Sequence, residues 1–310
     1  MNNQHGKVVV IMGGDSKERE VSFLSGNAVF DSLKRSGINV HKFDPLVDSI
    51  QDFINAKYDK AVVMLHGQNG EDGVIQGMLE YLKIPYSGSG VMASAIAMDK
   101  YRTKLIWQNF GIPLAKGQFI HKDNFDPKNF KLEIDLPVVV KPCCEGSTIG
   151  LSKVYIWDDL LKAIELAFTS DAKVLIEQLI DGSEYTIVIN QDQIYPFIKI
   201  EAPKGDYDYQ NKYFTDDTCY LCPYSLGELD QVIAKHARTA YNAIGARGIA
   251  RIDFMQNKQG DVCFLEINTI PGMTNHSLVP MAYKARGISF DQLCLEILDQ
   301  VGLDGNHNLF

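Results

Sequence analysis

Ile249-Ala250-Arg251-Ile252-Asp253-Phe254 and Phe264-Leu265-Glu266-Ile267-Asn268, two short runs flanking a polar turn, decide how this chain is read. Both have the look of strands, and strand side chains alternate between faces. Arg251 and Asp253 therefore share one face, as do Glu266 and Asn268, while Ile252, Phe254, Leu265 and Ile267 turn to the other. If the strands pair, two carboxylates, an amide and a guanidinium converge. Oxygen donors of this kind suit Mg²⁺, which takes few protein ligands and completes its shell with phosphate and water. Arg251 cannot ligate a metal, but it can neutralise an oxyanion forming beside it. The plainer alternative, a solvated hairpin face with a surface ion pair, stands level with this on pattern alone.

Outward from that pair, the next segment favours the first alternative. Thr269–His276 (TIPGMTNH) is turn-rich, and Ser277 is placed to cap a helix starting near Leu278, with Pro280 tolerated in its first turn. The free N–H groups of a helix start seat a carboxylate or phosphate, and Gly272 admits a ligand close to the backbone. Upstream, Lys141-Pro142-Cys143-Cys144-Glu145-Gly146-Ser147-Thr148-Ile149-Gly150 sets a lysine at a strand end before a small, glycine-bearing loop, whose N–H groups can cradle phosphate. The lysine precedes the glycines, so this is not a Walker A loop. Gly88-Ser89-Gly90-Val91-Met92-Ala93 matches G-x-G-x-x-A. However, no long buried strand leads into it and no acidic residue follows at the expected place, which argues against a dinucleotide fold.

The rest of the chain supplies the frame. Lys7–Met12 reads as a buried strand ending at Gly13-Gly14, followed by a helix from Glu20 to about Lys34. Strands at Asn39–Phe43 and Ala61–Leu65 and helices at Gly73–Leu82 and Ser89–Asn109 complete a β/α alternation, which implies a parallel sheet with helices on its faces. Glu18 and His66 sit in loops at strand C-terminal ends, where such sheets place ligands. Strands are then expected at Gly117–Ile120, Pro137–Lys141, Ser152–Tyr155 and Lys173–Glu177, with a helix Leu160–Phe168 capped by Asp158. Tyr185–Ile189 and Gln193–Glu201 suggest a hairpin. The polar, tyrosine-rich stretch 202–223 lacks periodicity, and loops that long are often functional. Ile233, Ala237, Ala240 and Ile244 mark a helix, and Ser289 and Gln292 stand at capping-box spacing.

The 310 residues carry 30 basic and 39 acidic side chains, a net charge of −9, which argues against broad nucleic-acid binding. No apolar run is long enough to span a membrane, and the N-terminus lacks the apolar stretch of a signal peptide. Of the six cysteines, Cys219 and Cys222 form one C-x-x-C with no second pair at zinc spacing. Reduced thiols in a cytoplasmic protein are the expectation.

Taken together, the segments resemble bacterial D-alanine–D-alanine ligases of the ATP-grasp superfamily. The resemblance rests on GGDSKEREVSFLSG (Gly13–Gly26), HGQNGEDGVIQGMLE (His66–Glu80), IPYSGSGVMASAIAMDK (Ile84–Lys100), VVVKPCCEGSTIG (Val138–Gly150), YDYQNKY (Tyr207–Tyr213), RIDF, and LEINTIPGMTNHSLVPM up to Met281. It implies an α/β (α+β overall) fold in three parts: 1–88, an N-terminal parallel-sheet domain; 89–183, a central domain; and 184–310, a C-terminal domain with a lid loop at about 203–222. The last two have largely antiparallel sheets and grip ATP. It implies ATP as co-substrate, two Mg²⁺ or Mn²⁺, D-alanine as substrate, a homodimer, and a role in peptidoglycan synthesis.

Carried over by motif, Glu18 holds the ammonium of the first D-alanine and His66 lies near it. Lys100 and Lys141 contact phosphates under the loop Glu145, Gly146, Ser147, Thr148. Glu177, Gln178, Leu179 and Ile180 read adenine and Glu184 the ribose. Lys212 and Tyr213 lie on the lid, and Tyr213, Ser147 and Glu18 form a hydrogen-bonded set. Asp253, Glu266 and Asn268 hold metal. Arg251 and the Gly272 N–H form an oxyanion hole, and Ser277 with the Leu278 N–H binds the second carboxylate. Four positions depart from the pattern: Thr148 where serine is usual, Leu179 where some relatives carry an aromatic, and Cys143 and Cys144, which would be oxidation-sensitive if exposed beside the nucleotide. Tyr213 favours an amine acceptor, because relatives that make D-alanine–D-lactate tend to carry phenylalanine there. Tyr213→Phe is thus predicted to raise ester formation relative to dipeptide when D-alanine and D-lactate compete across pH, and an unchanged product ratio would remove Tyr213 from the specificity argument.

Overall fold

The computed structural model describes residues 5–146, 148–201, 218–274 and 276–306. Three sheets carry the fold. The first is parallel, with β1 (Lys7–Ile11) between β2 (Asn39–Phe43) and β3 (Lys60–Val63). Residue alternation along β1 sorts its two faces. Val8, Val10 and Met12 pack against α1 (Arg19–Arg35) and against two C-terminal helices, α8 (Leu278–Ala285) and α9 (Phe290–Asp299). Val9 and Ile11 pack with Phe53 of α2 (Ile50–Ala56) and with Ile75 and Leu79 of α3 (Val74–Leu82). One face of the N-terminal sheet is thus sealed by the two C-terminal helices, and α1 meets the loop before Leu278, where Ser25 Oγ accepts the Met273 N–H at 3.1 Å.

The second sheet is antiparallel: β4 (Gly117–His121), β7 (Lys173–Gln178), β5 (Val138–Pro142) and β6 (Ser152–Val154), in that order. Val138, Val140, Val174 and Ile176 bury against Leu160, Ile164 and Phe168 of α6 (Trp157–Phe168). Asp158 lies inside the first turn of that helix rather than capping it; Ile156 holds the cap position without a side-chain bond. The third sheet runs β11 (Cys219–Tyr224), β10 (Phe197–Glu201), β8 (Gly182–Asn190), β12 (Ile249–Asn257), β13 (Val262–Asn268), with the two-residue β9 (Gln193–Ile194) folding back on β8. It packs on α7 (Leu229–Ala243), where Ile233, Ala237 and Ala240 are buried. The stretch from Cys219, expected as part of a long loop, is strand: Tyr220 and Leu221 pair with Ile200 and Lys199.

The single helix expected over Ser89–Asn109 is two, α4 (Val91–Met98) and α5 (Lys100–Asn109). Asp99 between them is extended (ψ 95°), and its carboxylate accepts the Arg102 N–H at 3.0 Å, a local cap that competes with continued helix. The break sets Lys100 at the start of α5, where its N–H reaches Cys143 O at 3.0 Å, beside the glycine-bearing loop. Ala97 and Trp107 of these helices bury in the core of the third sheet, not the second. Ser289 and Gln292 form the expected capping box.

Candidate active site

The face read from β12 and β13 forms as expected. Arg251 lies opposite Asn268 and Asp253 opposite Glu266. A register shift follows Asp253, so Phe254 meets Phe264 and not Leu265. Phe264 is the residue fully buried, and Leu265 is only half-buried, contrary to strict alternation. The bulge lets apolar residues fill the core beneath while the polar set stays in register above. On that face Arg251 holds Asp253 with two nitrogens, Nε to Oδ1 at 2.9 Å and Nη2 to Oδ2 at 2.8 Å. Thr186 Oγ1 of β8 donates to Asp253 Oδ1 at 2.6 Å, and Asn268 Nδ2 to Oδ2 at 3.2 Å. The expected oxyanion arginine and the expected metal ligand are partners here. Two carboxylates and an amide are oxygen donors that fit Mg²⁺ or Mn²⁺. Among the described residues no three of His, Cys, Asp and Glu gather as a metal site of another kind.

A row of lysines bridges the second and third sheets. Lys100 Nζ lies 3.2 Å from Glu266 Oε2 and donates to Glu145 O at 2.6 Å. Burial acts to lower the Lys100 pKa, but the Glu266 carboxylate keeps it above the ordinary value. Lys104 and Lys141 each approach one oxygen of the buried Glu177 at 2.6 Å. Burial acts against the Glu177 charge, yet these two ammonium groups hold its carboxyl below the usual range. Its carboxylate is therefore committed to lysines. The N–H groups of Gln178 and Leu179 bond to Lys116 O and Pro137 O, both at 2.9 Å. Ile180 and Glu184 are half-buried, the latter on β8 between Ile200 and Met255.

The loop after β5 reaches the N-terminal sheet. Glu145 pairs with Lys17 at 2.8 Å, and a Cβ on Gly146 would stand 2.9 Å from Glu18 Oε2. Gly67 approaches the same oxygen from the other side; its Cβ would lie at 2.8 Å, and its φ of +70° also favours glycine. Thr148 takes a φ of +67°, rare for a β-branched residue, at the crest of the loop. Ser147, Lys212 and Tyr213 lie outside the described residues. Cys143 is buried and Cys144 half-buried, with burial pushing their thiols up to about 12 and about 11. The exposure that the expected oxidation sensitivity requires is absent at Cys143, while the Cys144 sulfur lies 2.9 Å from Lys173 Nζ.

His66 is buried, with Nε2 3.1 Å from Ser25 Oγ and Nδ1 3.4 Å from Glu71 Oε1. Burial raises the Glu71 carboxyl. Gly272 is buried in the loop before α8. Ser277 occupies the cap position of α8, but its hydroxyl turns to Thr274, whose N–H it accepts at 2.9 Å.

Sequence reasoning missed Lys104, Thr186, Glu71 and Ser25. Lys104 was within reach, since it stands one turn after Lys100 and so shares its face. Thr186 and Ser25 carry no local signal; each meets its partner across a long sequence separation.

The arrangement has known counterparts. The family profile described as D-ala D-ala ligase C-terminus matches residues 106–299, and the one described as D-ala D-ala ligase N-terminus matches residues 42–89. The chain belongs to the D-alanine–D-alanine ligase family. It is 48% identical over 299 residues to D-alanine–D-alanine ligase of Aromatoleum aromaticum, covering 96% of each chain. The fold superposes on D-alanine–D-alanine ligase from Bacillus anthracis complexed with ATP, with a TM-score of 0.82 and 32% identity, covering 95% of this chain and 97% of that one. It is also similar to VanG D-Ala:D-Ser ligase from Enterococcus faecalis, with a TM-score of 0.82 and 29% identity, covering 96% and 99%.

Proposed function

We infer that this chain ligates two D-alanine molecules to D-alanyl-D-alanine with ATP, the dipeptide serving peptidoglycan synthesis. The observation that carries the reading is the convergence of three things in one family member: the row of lysines between two antiparallel sheets, the Arg251–Asp253–Glu266–Asn268 face, and Glu18 under the Gly146 backbone. A carboxylate is a poor acyl donor until it is phosphorylated. ATP transfers its terminal phosphoryl group to the first D-alanine, the amine of the second attacks the acyl phosphate, and phosphate leaves.

In this reading Glu18 holds the first ammonium, with His66 alongside. Lys100 and Lys141 neutralise phosphate oxygens, and the 145–150 loop covers them and keeps water from the acyl phosphate. Residues 177–180 and Glu184 take the nucleoside. Asp253, Glu266 and Asn268 are the residues that would hold two Mg²⁺ or Mn²⁺, which would offset phosphate charge. Arg251 turns from Asp253 toward the oxyanion, beside the Gly272 N–H. Ser277 and the Leu278 N–H take the second carboxylate, while Lys212 and Tyr213 close over the site.

No described helix is long and apolar enough to cross a membrane. The reading includes a cytoplasmic homodimer, which sedimentation of the purified chain would test. The deciding experiment is phosphate release with ATP and Mg²⁺ across D-alanine, L-alanine, D-serine, and D-alanine plus D-lactate, with products identified by mass. Release that needs D-alanine and yields the dipeptide is expected, and chelation of divalent metal should abolish it. ATP binding without D-alanine-dependent release would overturn the reading.

A further inference from the structure

Ser25 sits wholly buried in the middle of α1. A buried helical serine usually returns its hydroxyl to a carbonyl one turn back. Here the hydroxyl reaches partners far along the chain. Its Oγ accepts the Met273 N–H at 3.1 Å, across 248 residues, and lies 3.1 Å from His66 Nε2, across 41. The next residue, Gly26, lets α1 lie so close to β1 that a Cβ there would stand 2.5 Å from Met12 Cβ. The serine is therefore fixed to a rigid support, and two loops of the active site hang from one hydroxyl.

We propose that Ser25 is a positioning residue that holds the Gly272–Met273 backbone and the His66 ring together. The inference rests on the reading above, in which the Gly272 N–H and His66 face the reacting centre. One proton arrangement satisfies every contact: Glu71, as a carboxylate, accepts Nδ1–H of His66, and the bare Nε2 accepts the Ser25 proton. A lone pair of Ser25 takes the Met273 N–H. That bond fixes the plane of the peptide joining Gly272 to Met273 and so anchors one side of Gly272, narrowing the directions open to its N–H. Without the hydroxyl, the buried Met273 N–H has no acceptor there, the loop shifts to find one, and Nε2 of His66 loses its donor.

Two measurements test this. In ¹⁵N histidine side-chain spectra of the wild-type chain at pH 8, the His66 signals, assigned by their loss in His66→Gln, should show the Nδ1–H tautomer. In Ser25→Ala the Nε2 signal should shift, because its lone pair loses the hydroxyl that donates to it, while Glu71 keeps the proton on Nδ1. The variant's kcat for dipeptide formation should fall about ten- to a hundredfold, as for a small misplacement of a reacting group, while KM for ATP stays within about twofold of the wild type. An Nε2–H tautomer in the wild type, or a Ser25→Ala kcat within about twofold of normal, would overturn the proposal. The tautomer is read without turnover and without the Ser25 variant. It therefore stands as a test even if the variant does not fold, and even if the chain proves not to make D-alanyl-D-alanine.

Discussion

Arg251→Ala should cut turnover by on the order of 10²-fold or more, the usual loss when a donor to a developing oxyanion is removed. Two routes lead to such a loss. The guanidinium can act on the oxyanion directly, or it can act through Asp253, which it holds with two nitrogens. A misplaced Asp253 would weaken the metal site, and raising Mg²⁺ would then recover the rate. Direct action predicts no recovery. Asp253 also keeps Thr186 and Asn268 as partners at 2.6 and 3.2 Å, so it stays in place when the arginine goes. The expected result is therefore a rate that remains low at every Mg²⁺ concentration. Arg251→Lys should recover only part of it, because a lysine keeps the charge and loses the planar fork. A near-normal rate in Arg251→Ala would remove the arginine from the chemistry.

What was legible in the sequence shows why the rest was not. Strand alternation put Arg251, Asp253, Glu266 and Asn268 on one face because the period of a strand is fixed. The same rule misplaced Leu265, since a bulge adds a residue without changing composition. The Lys7–Met12 run announced a buried strand, and both its faces are indeed covered. That one cover comes from α8 and α9, more than 260 residues away, has no local trace. The α4–α5 break turned on Asp99, a residue that caps as readily as it sits in a helix. Cys219–Tyr224 lacked a clear strand pattern because its residues alternate only between exposed and half-buried, as on a sheet edge. Ser277 stood where a cap belongs, yet Thr274 took its hydroxyl. Local rules found the positions, and tertiary partners decided what the side chains do there.

The largest stability loss is expected at Glu177. Its carboxylate lies between Lys104 and Lys141, each at 2.6 Å, and all three side chains are largely buried. Glu177→Gln leaves two ammonium groups facing each other across a neutral amide. Breaking a buried pair by removing one partner costs about 3–5 kcal/mol, because the remaining charge is uncompensated. Burial already holds the Lys104 ammonium below its ordinary pKa, so losing the carboxylate should drive it lower still. Urea unfolding of Glu177→Gln should show a midpoint well below that of the wild type. Lys141→Met in that background should restore part of the loss, since it removes one of the two opposed charges, and the non-additivity of the pair measures the coupling. The pH dependence has a definite sign. The folded-state pKa of Glu177 lies below its unfolded value, so its contribution is present above the ordinary carboxylate range and is lost as pH falls through the folded value. The acid limb of stability against pH should be shallower in Glu177→Gln than in the wild type. If the variant matches the wild type in both midpoint and acid limb, the lysine row is held by packing and not by its carboxylate.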